Sequence, residues 1–235
     1  MLEHTRTIFD ADLRELTRTV ARMGGLAERQ VAQAFDALAQ GNTELARQII
    51  DRDASIDALQ ADIEARGTNV IAQRQPLAID LREIICALHI SSDLERIGDL
   101  AKNIGKRTIA VGNASLPTSV LRGLAHMTTL VMTQLEMALD SYAARDVRAA
   151  LVVRNKDLQI DALNNALFNE TLVYMGGDSR NIVTCTQILF CIKNLERIGD
   201  HATNIAEAVH YMISGHPPVG ERPKGNTTNF SALHA

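Results

Sequence analysis

The stretch Asp93-Leu94-Glu95-Arg96-Ile97-Gly98-Asp99-Leu100-Ala101-Lys102-Asn103-Ile104 recurs as Asn194-Leu195-Glu196-Arg197-Ile198-Gly199-Asp200-His201-Ala202-Thr203-Asn204-Ile205, 101 residues later. Leu, Glu, Arg, Ile, Gly, Asp, Ala, Asn and Ile hold register in both copies. A chain that repeats itself at close to half its length is built from two copies of one supersecondary unit. On a helix, with Glu95 taken as zero and about 100° per residue, Asp99 falls near 40° and Asn103 near 80°, while Leu94, Ile97, Leu100, Ala101 and Ile104 cluster at roughly 140–260°. The acidic pair therefore lies across the helix from its apolar stripe, facing outward or into a groove.

Two like charges at i,i+4 destabilise a helix by about 0.2–0.5 kcal/mol, so something compensates them. Arg96, Lys102 and Lys106 are near enough in sequence to do so. A bound cation would also do so, because hard cations, Fe and Mn take carboxylate oxygens.

The apolar periodicity predicts six helices. The first runs from about Phe9 to Gln40, with Gly24-Gly25 as a candidate bend, and Gly41-Asn42-Thr43 stops it and caps the next. The second runs from about Glu44 to Ala72, ending before Pro76. The third, from about Ala78 to Val111, carries the first acidic motif. After a turn-rich linker the pattern restarts: Val120 to Ala144, a helix capped by Asp146 and running to about Met175, and a last helix from about Arg180 to Ser214. Ile160-Asp161-Ala162-Leu163 repeats Ile56-Asp57-Ala58-Leu59 at an offset of 104, and Asp157 matches Asp53. Each half thus carries one acidic pair on its second helix and one on its third. Short connections pack consecutive helices antiparallel. If the pairs meet, Asp53, Asp57, Glu95 and Asp99 converge in the first half, and Asp157, Asp161, Glu196 and Asp200 in the second. Four converging carboxylates without a cation repel, and some must protonate. These eight are the candidate metal ligands. The fold class is all-α: two tandem, pseudo-symmetric three-helix bundles over residues 1–112 and 117–214, with a loose tail over 215–235.

Composition agrees with a helical protein packed by aliphatics: 46% of residues are apolar, 3% aromatic, and none is Trp. The net charge of −4 and the lack of a basic patch argue against nucleic acid. Cys86, Cys185 and Cys191 are read as reduced core thiols. Without a signal-like N-terminus or a membrane-length apolar run, the expected location is cytoplasmic, with no membrane insertion.

The doubled Leu-Glu-Arg-Ile-Gly-Asp-x-Ala-x-Asn-Ile, each copy following an Asp-x-x-x-Asp helix, and the segment Pro76-Leu77-Ala78-Ile79-Asp80-Leu81-Arg82 resemble the PhoU family of phosphate-transport regulators. The resemblance extends from the first helix to about residue 214. It implies tandem three-helix bundles, metal ions (Fe or Zn, with Mn, Mg or Ni as further candidates) on the paired acidic motifs, and a homodimer. It also implies negative regulation of the phosphate-starvation response and contacts with a membrane sensor histidine kinase and the ATPase subunit of the phosphate ABC transporter. Asn194 in place of Asp93, and His201 in place of Leu100, suggest two sites that differ; His201 is either an added nitrogen ligand or a surface histidine.

Two other readings compete. A di-metal helical-bundle enzyme would use inward Glu and paired Glu-x-x-His motifs. Only Glu207 to His210 offers that spacing, and no Ser/His/Asp set or Gly-rich phosphate loop accompanies it, so no catalysis is expected. A metal-free interaction module would leave the acidic stripes solvated.

Overall fold

The computed structural model describes residues 2–112, 114 and 116–220, with side chains from residue 9 onward. It comprises α1 (Leu2–Gln40), α2 (Thr43–Arg52), α3 (Ala54–Arg74), α4 (Ile79–Val111), α5 (Thr118–Ala144), α6 (Val147–Gly177), a 3-10 turn (Ser179–Asn181) and α7 (Ile182–Ser214), with no strand among the described residues. The repeat maps α1 onto α5, α2 and α3 together onto α6, and α4 onto α7.

The caps read from sequence are present. Gly41 has a positive φ of 63°, and the Asn42 side chain accepts from the Leu45 N–H at 3.0 Å. Asp146 accepts from the Arg148 and Ala149 N–H groups at 2.8 and 3.1 Å. Gly24-Gly25 does not interrupt α1, which is continuous. Gly24 instead admits Leu139 of α5: a Cβ there would stand 2.8 Å from a Leu139 methyl.

The second expected helix is two helices. The chain leaves the α-helical pattern at Asp53, where the Ile56 N–H bonds back to the Asp53 carbonyl at 2.8 Å. The Asp53 side chain is drawn into the interior, and α2 and α3 both pack on α4. The equivalent place in α6, at Asp157, is unbroken.

The halves meet through matching helices. The seam of α4 on α7 is the most extensive contact in the molecule, and α1 lies against α5. Like meeting like in both pairs is what a pseudo-twofold relation produces. One cluster of buried side chains runs through both halves, from Met23, Ile63 and Ile97 to Leu135, Ile198 and Val209. Cys86, Cys185 and Cys191 are unpaired and buried, and burial pushes the Cys86 and Cys191 thiols up to about 12.

One polar link across the seam has no counterpart under the pseudo-twofold. His201 Nδ1 lies 2.8 Å from Asp93 Oδ1, and Asn204 donates to the same oxygen at 3.3 Å. The mates of Asp93 and His201 are Asn194 and Leu100, which cannot make this pair. His201 is thus a half-buried seam residue rather than a surface one, and Asp93 is its partner. Of the tail, residues 215–220 are described and are tied to the bundle: Arg154 donates to the Gly220 carbonyl at 2.7 Å. Residues 221–235 lie outside the described residues. No helix of the described residues is long and apolar enough to cross a membrane.

Candidate metal centre

The repeat generates two cradles, one per half, each at a crossing of the second-helix segment over the third. The crossing is close because the third helix has a glycine there. A Cβ on Gly98 would meet Ile56 at 2.9 Å and the Asp53 carboxylate at 3.3 Å. On Gly199 it would meet Ile160 at 3.0 Å and the Gln134 amide oxygen at 3.2 Å. These glycines let the acidic pair of one helix approach that of the other.

The first of each second-helix pair is not at the surface. Asp53 and Asp157 are each only 3% exposed, whereas Asp57 is exposed and Glu95, Asp99, Asp161, Glu196 and Asp200 are half-buried. A buried carboxylate requires partners. In the first half the Gln30 amide donates to Asp53 at 3.0 Å and to the Gly98 carbonyl at 3.2 Å. In the second, the Gln134 amide donates to Asp157 at 3.4 Å and to the Thr203 hydroxyl at 2.8 Å, and that hydroxyl donates to Asp157 at 3.3 Å. Sequence reading missed Gln30 and Gln134. Carrying the 104-residue offset back into the first helix of each half pairs them.

The cradles differ at the position of Lys102. Lys102 Nζ bridges the halves of the first cradle, bonded to Asp53 and, at 2.6 Å, to Asp99. Thr203 holds the matching position, three residues after Asp200 as Lys102 is three after Asp99. Compensation by a neighbouring cation is therefore realised through Lys102 in the first half. Arg96 Nε stands 3.5 Å from the Glu95 carboxylate, and Lys193 pairs with Glu196 at 2.7 Å from the open side.

The acidic groups of each cradle share one field. Burial, then Asp99, holds the Glu95 carboxyl above its ordinary value, with Asp57 and Asp53 adding to the effect. Asp57 is raised by desolvation, then by Asp53 and Asp99. Glu196 is raised by burial and then by Asp200 and Asp161, against Lys193. All-carboxylate donor sets of this kind suit a hard cation or iron. Among the described residues, no three Asp, Glu, His or Cys side chains stand close enough together to hold one ion as they are placed. Where Lys102 stands in the first cradle the second has the Thr203 hydroxyl, and among the described residues the buried Gln134 amide oxygen has no hydrogen-bond partner.

A pH dependence follows. Glu28, Asp57, Glu83, Glu95 and Glu196 are all raised, chiefly by burial. A raised carboxyl binds protons in the folded form that the unfolded chain has already released. Stability from these groups is therefore present at lower pH and lost as pH climbs from their ordinary values, 4.5 for Glu and 3.8 for Asp57, through the raised ones. Metal-free protein is expected to melt at progressively lower temperature as pH rises through that window. Thermal melts in a buffer series check this; a melting temperature that climbs across the window would contradict it.

The one Glu-x-x-His is committed elsewhere. Glu207 accepts from Arg154 at 3.0 Å, and the buried His210 lies with Nδ1 3.0 Å from the His216 carbonyl. A cavity of about 770 Å³ lies between α1 and α5 away from both cradles, beside Glu28, Glu136 and Asp140.

The PhoU domain family matches residues 20–108 and again 124–209. A protein of Rhizobium meliloti named "Phosphate-specific transport system accessory protein PhoU homolog" is 47% identical over 226 residues, 96% of this chain and 95% of that one. A Caulobacter vibrioides protein of the same name is 45% identical, covering 95% and 97%. Among solved structures, PhoU from Pseudomonas aeruginosa superposes with a TM-score of 0.85 at 35% identity, covering 88% of this chain and 100% of that one. The phosphate transport system regulatory protein PhoU from Streptococcus pneumoniae gives 0.83 at 31%, covering 89% and 99%. One domain match per repeat, and likeness in sequence and fold over most of the chain, lead to one conclusion: the chain belongs to the PhoU family.

Proposed function

We propose that this protein is a cytosolic accessory of phosphate transport that restrains the phosphate-specific ABC transporter and the phosphate-starvation response. It acts by contact with the transporter's ATPase subunit and a membrane sensor histidine kinase, as a homodimer and without catalysis of its own. The observation that carries the reading is the doubled acidic cradle in a chain whose relatives are named as accessory proteins of phosphate-specific transport. The acidic sites take Fe or Zn, with Mn, Mg or Ni as substitutes.

When bound, the metal supplies the positive charge that joins carboxylates of two helices. The chain's own residues prepare for this. Gly98 and Gly199 bring the helices together, and Gln30 and Gln134 hold the inner Asp53 and Asp157 in place. Glu95, Asp99, Glu196 and Asp200 stand half-buried on the helices that carry these glycines.

Two measurements test the reading. Deleting the gene is expected to raise starvation-gene expression in phosphate-rich medium and to alter phosphate uptake, with recovery on re-expression; unchanged expression and uptake would refute the regulatory role. Elemental analysis of untagged protein purified without chelator is expected to find metal, lost when Glu95, Asp99, Glu196 and Asp200 are all changed to Ala. A protein without metal after Fe, Zn, Mn and Mg have been supplied would favour the metal-free module.

A further inference from the structure

The cavity between α1 and α5 is an open groove: Ala21, Arg29, Thr129, Glu136, Asp140 and Ala143 line it and are exposed. We infer that this groove docks an amphipathic helix of a partner protein, one with a small apolar face that carries Lys or Arg near its middle. The inference rests on the partner contacts of the proposed function and gives them a surface.

The shape supplies the first argument. α1 and α5 run antiparallel, since Gly24 meets Leu139 and Glu28 feels Glu136 and Asp140. The lining runs from Thr17 to Phe35 on α1 and from Ala125 to Ala143 on α5. At 1.5 Å per residue that is a trough roughly 27 Å long. Two antiparallel helices leave such a trough where a third would complete a bundle. Ala21, Gly25 and Ala32 on one wall and Ala125 on the other are too small to obstruct a helix laid along it.

Charge supplies the second. Three carboxylates, Glu28, Glu136 and Asp140, line the trough beside one cation, Arg29. None of the three carboxylates is in a salt bridge among the described residues. Arg29 lies back over Gly25, where one of its guanidinium nitrogens would stand 3.8 Å from an added Cβ. Glu28 is half-buried, and burial, then Glu136 and Asp140, hold its carboxyl above the ordinary value against Arg29. A partner's ammonium or guanidinium would relieve this field. A second copy presenting the same face would set these carboxylates against their own twins, and an anionic lipid surface would be repelled likewise.

The test uses the full chain and a labelled helical peptide of about 18 residues, the length that fills the trough. The peptide has Ala and Leu on one face with two Arg at its middle; a control peptide has Glu in their place. Fluorescence anisotropy at about 0.15 M salt is expected to show binding of the Arg peptide and none of the Glu peptide. Glu28→Gln/Glu136→Gln/Asp140→Asn is expected to weaken binding at least about tenfold, and Ala21→Trp/Thr129→Trp, which fills the trough from two exposed positions, to abolish it. Glu136→Lys/Asp140→Lys changes exposed residues only and is expected to reverse the preference between the peptides, which decides the point should the Trp pair lower the melting temperature. No binding of the Arg peptide, equal binding of both peptides, or binding indifferent to these changes would overturn the inference. So would a dimer that the Trp pair converts to monomer, which would assign the face to a second copy. In cells lacking the gene, the Trp-filled chain is expected not to restore restraint of starvation-gene expression. If it restores restraint in full, the inference fails and the regulatory reading stands. If deletion itself changes nothing, the regulatory reading fails, and the peptide titration still decides the groove.

Discussion

Changing Ile198 to Ala is expected to destabilise the whole protein by about 2–5 kcal/mol, the range for truncating a fully buried isoleucine. Ile198 is 0% exposed and sits in α7, the helix that packs most extensively on the other half. For a chain of this size that corresponds to a fall in melting temperature of roughly 5–20 °C. The fall is expected in a single transition. The buried cluster is continuous through both halves, so α1 to α4 have no separate core to retain when α7 loosens. Calorimetry decides the point: two resolved transitions, with one left at the wild-type temperature, would mean that each half is a unit of its own.

Arg145→Ala is the second large effect. Arg145 is the left-handed residue that ends α5, and its guanidinium bonds the Glu83 carboxylate of α4, joining the halves away from the cradles. The two ends of this pair are unequally buried: the Glu83 side chain is 6% exposed and that of Arg145 is 56%. Burial already holds Glu83 above its ordinary value despite the arginine. Losing Arg145 strands a buried carboxyl, which is expected to cost about 1–3 kcal/mol, reduced from the range for fully buried pairs because the arginine is half in water. Glu83→Leu is expected to cost less, since the freed guanidinium hydrates. The Arg145→Ala penalty is expected to shrink toward low pH, where Glu83 is protonated and needs no partner. Chemical denaturation of both single variants and the double variant at two pH values measures this; equal penalties for the two single changes, or one independent of pH, would contradict it.

The repeat, the acidic pairs and the two glycines at the crossing are visible in the sequence because helical periodicity and a fixed offset expose them. Four features are not visible that way. Lys102 is one of three nearby cations, and only the crossing of α3 over α4 selects it. Gln30 and Gln134 sit on the first helix of each half, outside the acidic motifs. The break at Asp53 is marked by no glycine or proline in the chain, and the equally buried Asp157 lies in an unbroken helix. Asp93 and His201 belong to the same repeated stretch as the acidic pairs, yet they face across the seam, since a helix buried on several sides spends different residues of one motif on different neighbours. Gly24-Gly25 shows the reverse case, a pair that reads as a bend and serves one close contact with Leu139.

The joining of two repeats over one core also constrains descent. A chain formed by duplication begins with two equal copies of everything, but its parts are not equally free to drift. Substitutions along α4 or α7 are felt at once by the opposite helix, so the interior of one copy must change in step with the other. The cradles have no such tie: each is assembled within its own half. One can change at a position without its twin changing, as Lys102 and Thr203 differ. Duplication of this kind supplies a spare site on a scaffold that holds both copies in place.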